Sequence, residues 1–227
     1  MRNLWSALFI FVVITSCNTN EKTKTESESK ITEVTKDIAS DTTEINYISI
    51  DNDEALVATA LMAAPKSSRA NCKVMGYNMA GEFVTFREGT NEFIVLTDNP
   101  KKSGFNAACY HKSLEPFMAR GRELKAEGKT GVEIFDIREE EVKSGKLSMG
   151  EPGATLHIYY GTSDRYDPET SLVEDSIYRY VVYLPFATSE TTGLPEAPVA
   201  SNHPWIMNPG THRAHIMISP VNNLDKK

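Results

Sequence analysis

The sequence predicts an α+β fold in a single domain, a mostly antiparallel sheet built from an N-terminal meander and C-terminal strands, packed with two or three helices. Three observations predict it. A strand meander precedes the helices that gather in the middle, and strands return toward the C-terminus, which is not the βαβα rhythm of a parallel sheet. The 227 residues suit one domain of ordinary size. No segment recurs at a fixed period, which argues against a solenoid or propeller.

The elements follow in order. Asp51 or Asp53 can cap a helix through Glu54–Ala64, which Pro65 stops. Cys72–Met79 and Glu82–Arg87 read as strands joined around Ala80-Gly81. Glu88–Asn91 makes a second turn and Glu92–Thr97 a third strand, so the three form a meander. Ser113 is placed to cap a helix running through Arg122 toward Glu127, with Pro116 tolerated in its first turn. Leu114, Phe117, Met118 and Leu124 share one face of it. Gly121 lies on the same stripe and allows a neighbour to approach closely. A further helix begins near Val132 or Phe135, carries Ile134, Ile137 and Glu141 at helical spacing, and ends at Ser144 before Gly145. Ala154–Tyr160 alternates as a strand, Ile177–Phe186 is the longest strand, and His212–Ser219 is the last.

The N-terminus reads as an address. Arg2 precedes an apolar run from Leu4 to Ile14, about 16 Å of helix at 1.5 Å per residue. That is too short for a bilayer core of ~30 Å and fits an export signal over residues 1–16. Ile14-Thr15-Ser16-Cys17 resembles the bacterial lipobox. The resemblance implies cleavage before Cys17 and covalent acyl chains on it, and two or three chains anchor a protein durably. Asn18 is not the Asp that in the familiar sorting rule retains lipoproteins at the inner membrane, so the expected address is the outer membrane, periplasmic or surface-facing. Residues 17–43 are mostly Thr, Ser, Lys, Glu and Asp and bury too little to offset their ordering entropy. They read as a flexible tether with a reach of about 28 Å. The domain then spans residues 44–221, and residues 222–227 form a polar tail.

Composition narrows the function. With 24 Lys+Arg against 31 Asp+Glu, a net charge of −7 gives no basic footprint for nucleic acid. Three Cys are too few for a disulfide scaffold or a four-thiolate zinc ribbon. No cofactor is expected beyond the acyl chains on Cys17.

The segments REGTNEFIVLTDNP (Arg87–Pro100) and ACYHKSLEPFMARG (Ala108–Gly121) resemble a family of exported bacterial proteins of unassigned function. The likeness continues through GKLSMGEPGATLHIYYG (Gly145–Gly161) and HPWIMNPGTHRAHIMI (His203–Ile218), most of the domain. In that family the position of Val95 is often Cys, which implies a pairing with the position of Cys109. Here that partner is missing.

Several constellations could carry chemistry. In an oxidising compartment Cys72 and Cys109 are candidates for a disulfide, for two buried thiols or for a reactive thiol. His203, His212 and His215, joined by His111 or His157, are weak candidates for a metal; on a strand His212 and His215 would point to opposite faces. Glu88, Asp98 and Glu139–Glu141 are candidate carboxylates, with Glu139 and Glu140 better suited to a solvated helix face and Glu88 to a turn. Asp164, Asp167 and Glu169 could attract Ca²⁺ but lack EF-hand spacing. Trp205 and Met207, in a rigid Pro-rich loop, and Tyr178 and Tyr180, on one strand face, form a candidate ligand surface. No phosphate loop or nucleophile elbow is present. The expectation is therefore a bacterial envelope lipoprotein of unknown molecular function, a non-catalytic binding or envelope-associated module whose candidate ligands are a protein, peptide or glycan. The alternative is an envelope enzyme or metal-dependent hydrolase using the C-terminal His group.

Overall fold

The computed structural model of the chain describes residues 45–218, all within one compact unit. The expected signal peptide at 1–16, the expected lipidation site Cys17, the expected tether to 43 and the expected tail at 222–227 lie outside the described residues. Eight strands make one sheet, and a two-stranded ribbon pairs β1 (Ile48–Ser49) with β7 (Arg165–Tyr166). The fold is α+β and the sheet mostly antiparallel, as its element order implies.

Helix α1 (Asp53–Ala60) starts at Asn52, whose backbone is extended and whose side-chain oxygen accepts from Ala55 N at 2.8 Å. The cap is thus neither Asp51 nor Asp53. Asp53 is already helical, and its carboxylate accepts from Met79 N at 2.8 Å instead. The helix tightens into a 3₁₀ turn at Leu61–Ala63, and a second 3₁₀ segment spans Lys66–Asn71.

Strands β2 (Lys73–Tyr77) and β3 (Phe83–Arg87) form the expected hairpin. The meander fails at its third strand. β4 (Phe93–Thr97) pairs in parallel with β2, giving the order β3-β2-β4. Burial explains the choice: Ile94 and Val95, on opposite faces of β4, are both buried and need an interior strand, whereas β3 is more exposed and serves as the edge. To get there, the loop after β3 crosses the start of β2, with Thr90 N donating to Asn71 O at 2.9 Å. Gly89 makes the crossing feasible, because a Cβ there would overlap the backbone nitrogen of Lys73.

β5 (Phe105–His111) has no counterpart in the sequence reading. Its Ala107 is a poor strand former, and Ala107 and Cys109 are both fully buried beneath Ala55, Ala60, Ala63 and Ala64. Packing against a close layer overrides propensity here. β5 is followed by β6 (Thr155–Gly161) and β8 (Ile177–Tyr183), which are flanked by β10 (His215–Ile218) and the edge strand β9 (Trp205–Met207). β9 occupies part of the stretch read as a loop, and β10 begins three residues later than expected.

The opposite face carries α2 (Glu115–Ala126) and α3 (Gly131–Lys143). Ser113 does not cap α2; it lies in a 3₁₀ turn, where His111 Nδ1 accepts from its amide. Thr130 and Glu133 make a capping box for α3. Phe117 is buried against Ile94, Tyr110, Val181 and Tyr183, and Leu124 is also buried. At Gly121 the close approach is real, since a Cβ would come within 2.9 Å of the Arg138 guanidinium. That guanidinium lies 3.9 Å from the centroid of Phe117 and donates to Phe117 O at 3.2 Å.

Gly89→Ala is expected to cost more than about 2 kcal/mol, through backbone overlap at the β2 crossing. Gly131→Ala, whose Cβ would meet nothing within 4 Å, is expected to be neutral or stabilising. Urea unfolding of the two variants checks both.

Candidate functional site

The helical cover over the α1 face of the sheet ends beside β6 and β8, and a groove of about 630 Å³ opens there. Its floor is His157 of β6 with Tyr178 and Tyr180 of β8. Met62, Ala63 and Ala64 with Lys66 and Arg69 form one wall, and Thr170 and Leu172 the other. Register makes the floor. Tyr159 lies opposite Tyr178 and His157 opposite Tyr180, so all four side chains share one face. The rings of Tyr159 and Tyr178 stack at 4.6 Å, those of Tyr178 and Tyr180 are parallel within 4° at 6.3 Å, and His157 meets Tyr180 edge-on at 5.1 Å.

The wall is fixed from within. Tyr178 Oη donates to Met62 O at 3.2 Å. Arg69 donates to Ala64 O at 3.0 Å and to Met62 O at 3.3 Å, and contacts Met62 Sδ at 3.1 Å. Burial holds His157 below the usual histidine range, partly offset by a hydrogen bond to the Ala63 backbone. The floor is therefore neutral at pH 7, and the cations sit on the wall.

The four proposed surface residues separate. Tyr178 and Tyr180 line the groove. Trp205 and Met207 are on β9 and turn to the other sheet face, where Trp205 pairs with Met217 in register and both pack against the helix-side core. Sequence reasoning named His157 only as a possible metal partner and missed the 62–69 wall. The alternation of His157 with Leu156 and Ile158 put it on the right face, but only the placement of β6 beside β8 brings it to the tyrosines.

Cys72 and Cys109 are free thiols, fully buried in one core cluster. Cys72 Sγ donates to Ser68 O at 3.2 Å. The neighbouring Cys109 draws the Cys72 thiol down to about 7, whereas Cys109 is pushed well up, first by Cys72 and then by burial. Val95, the position implied by the family likeness as the partner of Cys109, stands directly opposite it across β4 and β5.

The C-terminal histidines do not converge on one site. His212 precedes β10 in a turn, and it faces the helices as His215 does, so the expected opposition is absent. His212 sits between Phe117 and Phe135, its Nδ1 3.2 Å from Glu139 Oε2. His215 Nδ1 bonds Arg213 O at 2.6 Å, and His203 lies in the loop before β9. Among the described residues no group of three His, Cys, Asp or Glu side chains is placed to hold a metal ion. Glu139 is not on a solvated face: its side chain is 18% exposed and pairs with His212 and Lys143, which hold its carboxyl below the usual range.

The other carboxylates serve local structure. Asp98 accepts from Asn106 N at 3.1 Å, Glu88 pairs with Lys73, and Asp167 accepts from Glu169 N and Thr170 Oγ1. No family model, curated protein or solved structure is similar to the chain.

Burial lowers the pKa of His157, His212 and His215 alike. Below about pH 6.5 the unfolded chain takes up protons on these residues that the folded chain refuses, so stability falls as pH drops. The lowered carboxyls of Glu133, Glu139 and Asp167 matter only further down, near and below about pH 4.5. The melting temperature is expected to decline between pH 7.5 and pH 5. His157→Phe, which keeps a ring but cannot titrate, is expected to shrink the decline when the two melting curves are compared.

Proposed function

We propose that the chain is a bacterial envelope lipoprotein, exported and held to the outer membrane through acyl chains on Cys17, whose domain is a non-catalytic binding module. Support for anchoring comes from Arg2, the apolar run Leu4–Ile14 and the Ile14-Thr15-Ser16-Cys17 segment. No helix among the described residues is long and apolar enough to cross a membrane.

Support for binding rests on one observation, the open groove floored by Tyr178, Tyr180 and His157. Its volume falls within the range of small-molecule sites, and its lining is mostly apolar with a few polar groups. The floor belongs to interior strands. β6 is paired on both sides by β5 and β8, and β8 by β6 and β10. Their ladders are occupied, so a ligand cannot add as a further strand and must be held by side chains.

The second reading, an enzyme built on the histidines, draws on the Glu139–His212 pair. A carboxylate at Nδ1 leaves Nε2 to act, and Nε2 has no partner. That atom is nevertheless buried, and His212 is 0% exposed between two phenylalanines, so a substrate has no route to it. The groove carries more weight because it is open.

Two outcomes are expected. Cys17→Ser should abolish acyl labelling and release the chain from membranes; continued labelling would overturn the anchor. On an array of envelope glycans and peptides, Tyr180→Ala should lose at least tenfold in affinity for whatever the chain retains. Met207→Leu, on the other sheet face, should lose none. Equal retention by Tyr180→Ala would remove the groove as the site.

A further inference from the structure

The groove's charge is out of step with the chain. The protein carries −7, yet the side chains lining the groove include Lys66 and Arg69 and no carboxylate. Arg69 directs its donors at neutral acceptors, two carbonyls and a thioether, so its charge has no carboxylate partner among the described residues. Lys66 is exposed at the rim and likewise forms no ion pair among them. In the segment that supplies the opposite wall, the Asp167 carboxylate accepts from Thr170 Oγ1 and from the Glu169 amide.

The recess at the other end of the sheet gives the contrast. It measures about 600 Å³ and lies among Tyr77, Phe83, Leu96 and Arg122. There the guanidinium stands 5.4 Å from the centroid of Phe83, and its charge is matched by Glu115. Aromatic rings beside a cation are thus neutralised in one recess and left unmatched in the other.

We infer that the groove takes an anionic saccharide, its sugar faces against Tyr178 and Tyr180 and its carboxylates toward Lys66 and Arg69; this rests on the groove being the ligand site. The chemistry of the floor favours sugar over peptide. The backbones beneath are already paired, so there is no ladder for a peptide main chain. What remains is aromatic surface, the Tyr180 hydroxyl, which makes no hydrogen bond among the described residues, and positive charge. A chain of rings with apolar faces and pendant acids fits that set. Steering by unmatched cations also makes capture depend on salt.

The test titrates the full chain, in a non-glycosidic detergent, with tetragalacturonic acid and with its methyl ester, which keeps the sugar chain and removes the charge. Calorimetry is expected to give at least tenfold tighter binding of the acid, weakening at high salt. Lys66→Ala should lose several-fold affinity for the acid and none for the ester, while Tyr180→Ala should lose both. Equal binding of acid and ester, with both lost in Tyr180→Ala, would overturn the charge inference and leave the groove standing as the site. Binding of neither sugar would overturn the saccharide class, and the groove would then be judged by the Tyr180→Ala comparison on peptides. Binding that Tyr180→Ala leaves intact would overturn both.

Discussion

Close packing of small residues between the α1 layer and the sheet is the constraint on which the rest depends. Ala55, Ala60, Ala63 and Ala64 meet Cys72, Val74, Ala107 and Cys109, all of them buried. Side chains this short let the 3₁₀ turn lie close against β5 and β6 rather than stand off on larger residues. That closeness brings Met62 O within 3.2 Å of the Tyr178 hydroxyl and puts the turn where it can wall a groove. A larger residue at Ala107 or Ala63 would have to lift the layer or distort its rotamers. The groove is therefore a consequence of core packing, although its lining side chains Lys66, Arg69, His157 and Tyr180 lie outside the core.

The other face of the sheet solves a different problem, the burial of charge. Arg138 is 8% exposed and has no carboxylate partner among its hydrogen bonds. It is held by the Phe117 ring, by two backbone carbonyls and by the space that Gly121 leaves. Burial, with Arg213 nearby, draws its pKa down to about 10, so it keeps its proton at neutral pH. Glu139 and His212 lie at the same junction of α3 with the turn before β10. These groups fasten the helices to the sheet, and their perturbed ionisation follows from that structural work. A perturbed titratable group marks a functional candidate only where a ligand can reach it. Arg138 and His212 are buried, whereas His157, lowered by the same cause, lines an opening.

Much of the fold was legible in the residues. The β2–β3 hairpin, the amphipathic stripe of α2, the close approach at Gly121 and the end of α3 before Gly145 follow from local chemistry that tertiary contacts reinforce. So does the shared face of Tyr178 and Tyr180, because a period of two leaves no choice. The errors have one physical origin. β5 escapes notice because Asn106, Ala107 and Ala108 have little strand propensity, and the alanine layer above explains the small buried residues. β4 reads as the third strand of a meander because its turn is short, whereas its two buried faces require the sheet interior. Glu139 reads as solvated because its partner His212 lies 73 residues away. Each depends on a contact between distant segments, which periodicity does not encode. The site was half legible for the same reason: the tyrosines share a strand, but His157, Met62 and Arg69 come from two other segments.

The groove lies where the cover stops, which determines how it can bind. The strands beneath it are interior, so the floor is held by ladders on both sides and by the stacked pair Tyr159–Tyr178. The wall is tied by hydrogen bonds from Arg69 and Tyr178 to backbone oxygens of the 62–64 turn. For a ligand held as proposed, little of the protein side would need ordering, so the side-chain and loop share of the binding cost is small. A site of that kind gains affinity from a few fixed contacts rather than from closing around its ligand. It also limits what those contacts are, because the backbone groups of the floor are already paired. Aromatic faces and unmatched cations are the remaining means of recognition, and both come from side chains that the small-residue layer positions without burying completely.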